Sequence, residues 1–252
     1  MISEQQVTNR LVDYGERLWQ APEKGLRDGP TDNEAANRLL NDIENHPHAF
    51  VLACIMDQQV KYQRAWLIPY HFQKELGDFS MQTLNQQSEG EIRRIMGEGP
   101  KKLHRFTDNM SKYFYEAVAR IRGEYEGDAS RIWANRPPSA TVIYRFLEFD
   151  GVGPKIASMA TNILARELKV EFSDYYSIDV SADVHVRRVF RRLGLTPEHA
   201  TVEQVIFRAR SLHPEFPGVM DIAAWEIGKG SCYPREPLCD DCMMADVCPR
   251  LL

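Results

Sequence analysis

The sequence lacks any long hydrophobic run. No stretch of its 252 residues approaches the roughly 18 apolar residues that span a bilayer. The opening MISEQQVTNR has no basic segment followed by an apolar one, so no secretory signal is expected. Both absences point to a cytoplasmic protein without a membrane partner. Alternating segments joined by tight turns are also missing, which excludes a β-sandwich or barrel. Positive charge is not in excess: 31 Lys and Arg against 36 Asp and Glu give −5. Phosphate contacts need local positive potential, so this balance counts against a generic nucleic-acid binder, although it does not fix where the charges sit. Cysteines number only five, and in a reducing compartment they read as ligands or free thiols before disulfides.

What is present is an ordinary globular composition, 43% hydrophobic and 27% charged, long enough for one large domain or two small ones. Apolar residues recur with helical period. Val7, Leu11, Tyr14 and Leu18 form one stripe, and Ala36, Leu39, Leu40 and Ile43 another, behind an expected N-cap at Thr31 or Asp32. Ala49–Met56 is apolar throughout, as in a helix buried on all sides. Tyr113, Phe114, Ala117, Val118 and Ile121 repeat the pattern, as do Val186, Val189, Phe190 and Leu193, and Val202, Val205, Ile206 and Ala209. Val170–Val180 could be locally extended, but one such segment makes no sheet. The fold class is all-α.

From Gly228 to Leu252 the apolar period disappears and four cysteines arrive: Cys232, Cys239, Cys242 and Cys248, spaced C-x6-C-x2-C-x5-C. Four thiolates so close in sequence converge on one centre if the chain wraps around it. Tetrahedral zinc is one candidate. A four-cysteine iron–sulfur cluster, which tolerates uneven spacing, is the other and the preferred one. Cys54 lies in the all-apolar helix and reads as a small core residue.

Phe146 to Leu164 reads as helix, turn, helix. Gly151 and Gly153 permit a tight turn with close backbone approach, and Pro154 suits the first position of the next helix. The turn aims backbone N–H groups outward beside a helix N-terminus, an arrangement that suits a phosphate. Lys155 sits on that first turn, where the helix disfavours a cation, and the free amine is the form a nucleophile needs. Asp183 precedes the Val186–Leu193 stripe and suits an N-cap, as does Ser181. Arg187, Arg188, Arg191 and Arg192 form a basic stripe beside the apolar one, and Lys101, Lys102, His104 and Arg105 a short basic loop.

Three of these segments, in this order, resemble the endonuclease III-like family of the helix-hairpin-helix DNA glycosylases, over about Ala49 to Cys248. The last segment, IGKGSCYPREPLCDDCMMADVC, resembles that family's cluster loop, down to Gly228 and Lys229 before the first cysteine and Pro237 before the second. GVGPKIA resembles the hairpin LPGVGxKxA, with Phe149-Asp150 in place of Leu-Pro, an anionic neighbour for a phosphate. ADVHVRRV resembles VDTHVxRV, with Val184 in place of Thr. The resemblance implies two helical domains: residues 48–163 ending in the hairpin, and residues 1–47 with 164–252 carrying a [4Fe–4S] cluster on Cys232, Cys239, Cys242 and Cys248. Damaged or abasic double-stranded DNA would lie between Lys155 and Asp183, on a monomeric protein. By position Lys155 is the Schiff-base lysine of the lyase members, and Asp183 the carboxylate, with Asp179 one turn away as the competing candidate. Gln58 lines up with the residue filling the gap left by a flipped nucleotide, and Lys102 with a DNA-contacting lysine. Gly151, Gly153, His185 and Arg187 complete the expected DNA contacts. The loop Gly97-Glu98-Gly99-Pro100 lacks the large apolar wedge the family carries there. The implied activity is base removal followed by strand cleavage by β-elimination. The alternatives are a glycosylase without lyase activity, acting on alkylated or mismatched bases, and a non-catalytic binder of DNA structure.

Overall fold

The computed structural model describes residues 2–20, 25–26, 30–97 and 102–251. Every regular element among them is helical, and none is long and apolar enough to cross a membrane. The chain divides into two compact units.

One unit comprises Lys24–Pro137 and Thr141–Phe172. Its centre is the helix Pro47–Met56, in which all ten residues are buried. A segment apolar on every side can only be stable when neighbours cover every side. Here Glu34–Asn41, Tyr62–Trp66, Ile68–Leu76, Thr107–Glu124, Pro154–Arg166 and the 3-10 turn Ala129–Ile132 supply that cover. Phe50 meets Trp66 and Trp133 edge to face, at 6.0 and 6.3 Å between centroids. Phe72 stacks on Phe114 at 4.4 Å. Each large side chain of this helix contributes roughly 1.5–3 kcal/mol by burial. His48 is the helix's polar exception. Its Nε2–H donates to the Phe79 carbonyl at 2.6 Å, and burial pushes the imidazole below its usual range, favouring the neutral form.

The N-cap expected at Thr31 or Asp32 is Asn33, whose Oδ1 accepts from the Ala36 N–H. Thr31 instead shapes the approach: its Oγ1 accepts from the Asn33 N–H and donates to Asn37.

The other unit comprises Met1–Glu23, Pro138–Ala140 and Ser173–Leu252. Helices Glu4–Trp19 and Val184–Arg192 both pack on Val219–Gly230, and Val202–Leu212 completes the group. Two of the four carry capping boxes, Ser3 with Gln6 and Thr201 with Gln204, which satisfy helix-end N–H groups reciprocally. Gly15 lies directly against the Val219 carbonyl, so a side chain there would separate Glu4–Trp19 from its partner. Val170–Val180 forms no strand. The sequence reading set its domain borders at 48 and 163, whereas residues 24–47 and 164–172 group with the hairpin unit. Glu34–Asn41 packs on Pro47–Met56 and Pro154–Arg166 runs unbroken across residue 163, which gives that grouping its physical basis.

Candidate active site

The hairpin joins helix Ser139–Leu147 to helix Pro154–Arg166. The turn closes with the Val152 N–H on the Phe149 carbonyl at 3.0 Å. Gly151 adopts φ +80°, and a Cβ there would come within 2.5 Å of the Tyr113 ring. Two independent constraints therefore demand glycine. Gly153 is the N-cap at φ −103°, with open space where a Cβ would go. Of the residues that depart from the family pattern, Phe149 is buried in the unit's core and stacks on Tyr125, while Asp150 is exposed. Replacing Leu-Pro thus leaves the turn anchored by an apolar side chain.

Lys155 is exposed on the first turn of Pro154–Arg166, with no hydrogen bond or ion pair among the described residues. Its charge reaches Asp57, the half-buried residue that follows the central helix. Burial pushes the Asp57 carboxyl up from its usual range. The indole N–H of Trp66, donating to Oδ2 at 3.3 Å, and the Lys155 charge pull it partly back. Asp57 was not singled out from the sequence. An acid directly after eight apolar residues, and directly before Gln58, was the signal available.

Gln58 is tied to the end of the central helix. Its side-chain amide donates to the Ile55 carbonyl at 2.7 Å, and its own carbonyl accepts from His104 Nε2 at 3.0 Å. His104 is therefore not part of a basic surface. It is fully buried, its Nδ1 accepts from the Phe106 N–H, and burial pushes it below the usual imidazole range. Arg64 clamps the adjoining chain by donating to the carbonyls of Lys102 and Leu103. Lys102 itself is exposed and lines an open groove with Arg93, Arg94 and Arg105. Within it Arg93 pairs with Asp108 at 2.7 Å and Arg94 with Glu91 at 2.7 Å. The wedge loop's Glu98, Gly99 and Pro100, together with Lys101, lie outside the described residues.

In the other unit Asp183 is the N-cap of Val184–Arg192. Its Oδ1 accepts from the N–H groups of His185 and Val186 at 2.8 and 2.9 Å. Its Oδ2 accepts no hydrogen bond among the described residues. Asp179 is differently placed: both its oxygens face the Arg210 guanidinium, at 2.7 and 2.8 Å. One carboxylate is thus neutralised by a bidentate pair, while the other keeps an oxygen available at a helix N-terminus.

The basic stripe is largely committed to internal contacts. Arg188 donates to the carbonyls of Cys232 and Gly228, both at 2.7 Å, and contacts His185 Nδ1 at 3.0 Å. Arg192 donates to Cys232 Sγ at 3.3 Å and to the carbonyls of Tyr233 and Pro234. Arg191 faces Glu198, and Arg187, although exposed, donates to the Ala200 carbonyl. The helix that carries Asp183 therefore fastens the cysteine loop. Gly228 allows this close approach, since a Cβ there would meet His185 at 2.8 Å.

Cys232, Cys239, Cys242 and Cys248 line one pocket, together with Arg192, Ser231, Pro237 and Arg250. Among the described residues no group of three or more His, Cys, Asp or Glu side chains is gathered so that it could hold a metal ion. Four cysteines facing one pocket supply soft sulfur donors of the kind that hold zinc or an iron–sulfur cluster.

No family profile matches the chain. Among characterised proteins it is similar to the endonuclease III-like protein 1 of Gallus gallus, 25% identical over 150 residues, which are 57% of this chain and 45% of that protein. The match thus spans less than half of the relative's length. Among solved structures it superimposes on a trapped endonuclease III–DNA covalent intermediate with a TM-score of 0.63, at 15% identity, covering 99% of this chain and 97% of that one. A thermostable thymine-DNA glycosylase follows with a TM-score of 0.62 at 14% identity, covering 97% and 96%. The 8-oxoguanine glycosylase/lyase of Clostridium acetobutylicum gives 0.56 at 12% identity, covering 86% and 69%. The chain thus shares the all-helical fold of these structures.

Proposed function

We propose that this protein is a base-excision DNA glycosylase that also cleaves the abasic strand, with Lys155 as the nucleophile and Asp183 as the carboxylate. The observation that carries the reading is Lys155 itself, an exposed amine on the first turn after the glycine hairpin. Asp183 supports it with an oxygen left over from its capping role. Breaking an N-glycosidic bond builds positive charge on the sugar, which a carboxylate stabilises. The amine attacks C1′, the base leaves with the bonding electrons, and ring opening gives an imine. That imine acidifies the C2′ proton, so elimination breaks the strand on the 3′ side. The target base must leave the helix stack first. Asp183 is preferred to Asp179 because the bidentate Arg210 pair occupies both oxygens of the latter.

Hairpin amides beside Gly151 and Gly153, with Lys102 in its groove, would meet the phosphates. Arg187, held by Ala200, would add at most one contact. The cysteine cavity supports a [4Fe–4S] cluster held by Cys232, Cys239, Cys242 and Cys248, which would tie down a loop that has no apolar core of its own. The test is borohydride trapping on a duplex with an abasic site. A covalent adduct is expected from the native protein and none from Lys155→Ala. Base removal from a damaged duplex with neither strand cleavage nor a trapped adduct would favour a glycosylase lacking the lyase step.

A further inference from the structure

An ordinary lysine is an ammonium ion at neutral pH, and only the free amine can attack C1′. The assignment of Lys155 therefore needs a group that takes its proton, and within the hairpin unit Asp57 is placed for it. Asp57 is held where the fully buried helix Pro47–Met56 ends, its own N–H on the Cys54 carbonyl at 3.2 Å. Trp66 fixes the carboxylate by one hydrogen bond to Oδ2. Helix Pro154–Arg166, with Lys155 on its first turn, packs against Pro47–Met56. The charged or titratable groups facing Asp57 are Lys155 from that helix and Cys54 from its own. Burial favours the protonated carboxyl, so this acid can hold a proton that an exposed one would release at once.

We propose that Asp57 is the proton partner of Lys155, acting through it and without contact to the sugar. The carboxylate takes one proton from the ammonium, giving a neutral acid and a free amine. The amine's electron pair then forms the N–C1′ bond while the glycosidic electrons depart with the base. Asp57 then releases its proton to water and returns to the carboxylate for the next turnover, while the departing base takes a proton from water. This inference rests on Lys155 being the nucleophile.

The experiment measures single-turnover borohydride trapping on an abasic duplex, from about pH 6 to about pH 9, with the full chain as purified. Asp57→Asn is expected to slow trapping by ~10²-fold near neutrality, in line with the loss of one positioned acid–base group. The deficit should shrink as alkali deprotonates the lysine directly. Asp57→Glu should recover part of the rate, and its circular dichroism should match the native protein. Trp66→Phe is the second variant, useful if Asp57→Asn does not fold. Losing the indole donor raises the proton affinity of Asp57, so the acid limb of the profile should move to higher pH. A native rate and native pH profile in Asp57→Asn, or an unmoved limb in Trp66→Phe, overturns the Asp57 proposal and leaves Lys155 in place. Trapping that survives in Lys155→Ala overturns the assignment beneath it.

Discussion

The two units are held together by different means. The hairpin unit is organised by burial: a helix without a single exposed residue, ringed by others, with aromatic pairs between them. The cysteine-loop unit buries a core as well, but among the described residues its last stretch after Gly230 has no helix and a single buried side chain, Met244. That stretch is held by Arg188 and Arg192 on its carbonyls and by Arg10 on Asp246 at 2.6 Å, and the proposed cluster on its four cysteines would add a further anchor. Apolar burial is spread over many contacts and resists single changes. A point-held loop depends on each anchor.

The largest expected effect follows from that dependence. Cys239→Ala should abolish the absorbance near ~400 nm that iron–thiolate chemistry gives, and should destabilise the unit by roughly 4 kcal/mol or more, as loss of a metal centre does. Limited proteolysis should then cut after Gly230 while the hairpin unit stays intact. A colourless native protein containing stoichiometric zinc would reverse the cluster assignment. Equal protease resistance with and without Cys239 would erase the contrast between the units.

Asp183→Asn comes next. Asparagine caps a helix as well as aspartate, so stability should hold within about 0.5 kcal/mol. Base removal should nevertheless fall ~10²–10³-fold, the usual cost of losing one group that stabilises transition-state charge. Melting curves alongside single-turnover excision separate the two roles. A variant that loses stability but keeps activity would show that Asp183 is a cap and nothing more.

The two hairpin glycines offer a smaller and more local test. Gly151→Ala places a Cβ against the Tyr113 ring at a positive φ, and strain plus overpacking should cost ~2–4 kcal/mol in denaturant melts. Gly153→Ala meets open space at an ordinary φ and should cost under about 1 kcal/mol. Equal losses would mean that the turn is set by something other than the Tyr113 contact.

How legible all this was in the sequence also divides along the two units. Helical periodicity exposed the central helix, the Tyr113–Ile121 stripe and the Val186–Leu193 stripe, because each face is bounded by a simple burial pattern. The N-cap shifted to Asn33 because three capping residues stand in a row and only backbone geometry chooses among them. The arginine stripe read as one basic face with Arg187 as its DNA contact, yet Arg188 and Arg192 bind carbonyls some forty residues away, and no local pattern encodes such distant partners. His104 read as a cation for the same reason: charge counts by residue type, while the neutral form here follows from burial. Asp57 escaped notice because its meaning depends on Lys155, nearly a hundred positions later.

The smallest effect concerns pH, and it falls in the burial-held unit. His48 and His104 are both buried there, each donating from Nε2 to a backbone carbonyl, and burial pushes both below the usual imidazole range. In the unfolded chain they take up protons near pH ~6.5. In the folded chain they do so only at lower pH. Between those limits the unfolded state binds more protons, so stability is full above ~6.5 and declines as pH falls toward the depressed folded values. The slope can reach ~1.4 kcal/mol per pH unit for each histidine. Urea midpoints measured from about pH 7.5 to about pH 5.5 should therefore decrease. His48→Gln, which keeps a donor for the Phe79 carbonyl and removes the titration, should flatten roughly half of that decline. A profile unchanged by His48→Gln would place the acid sensitivity elsewhere, and would weaken the picture of a hairpin unit whose polar groups answer to burial.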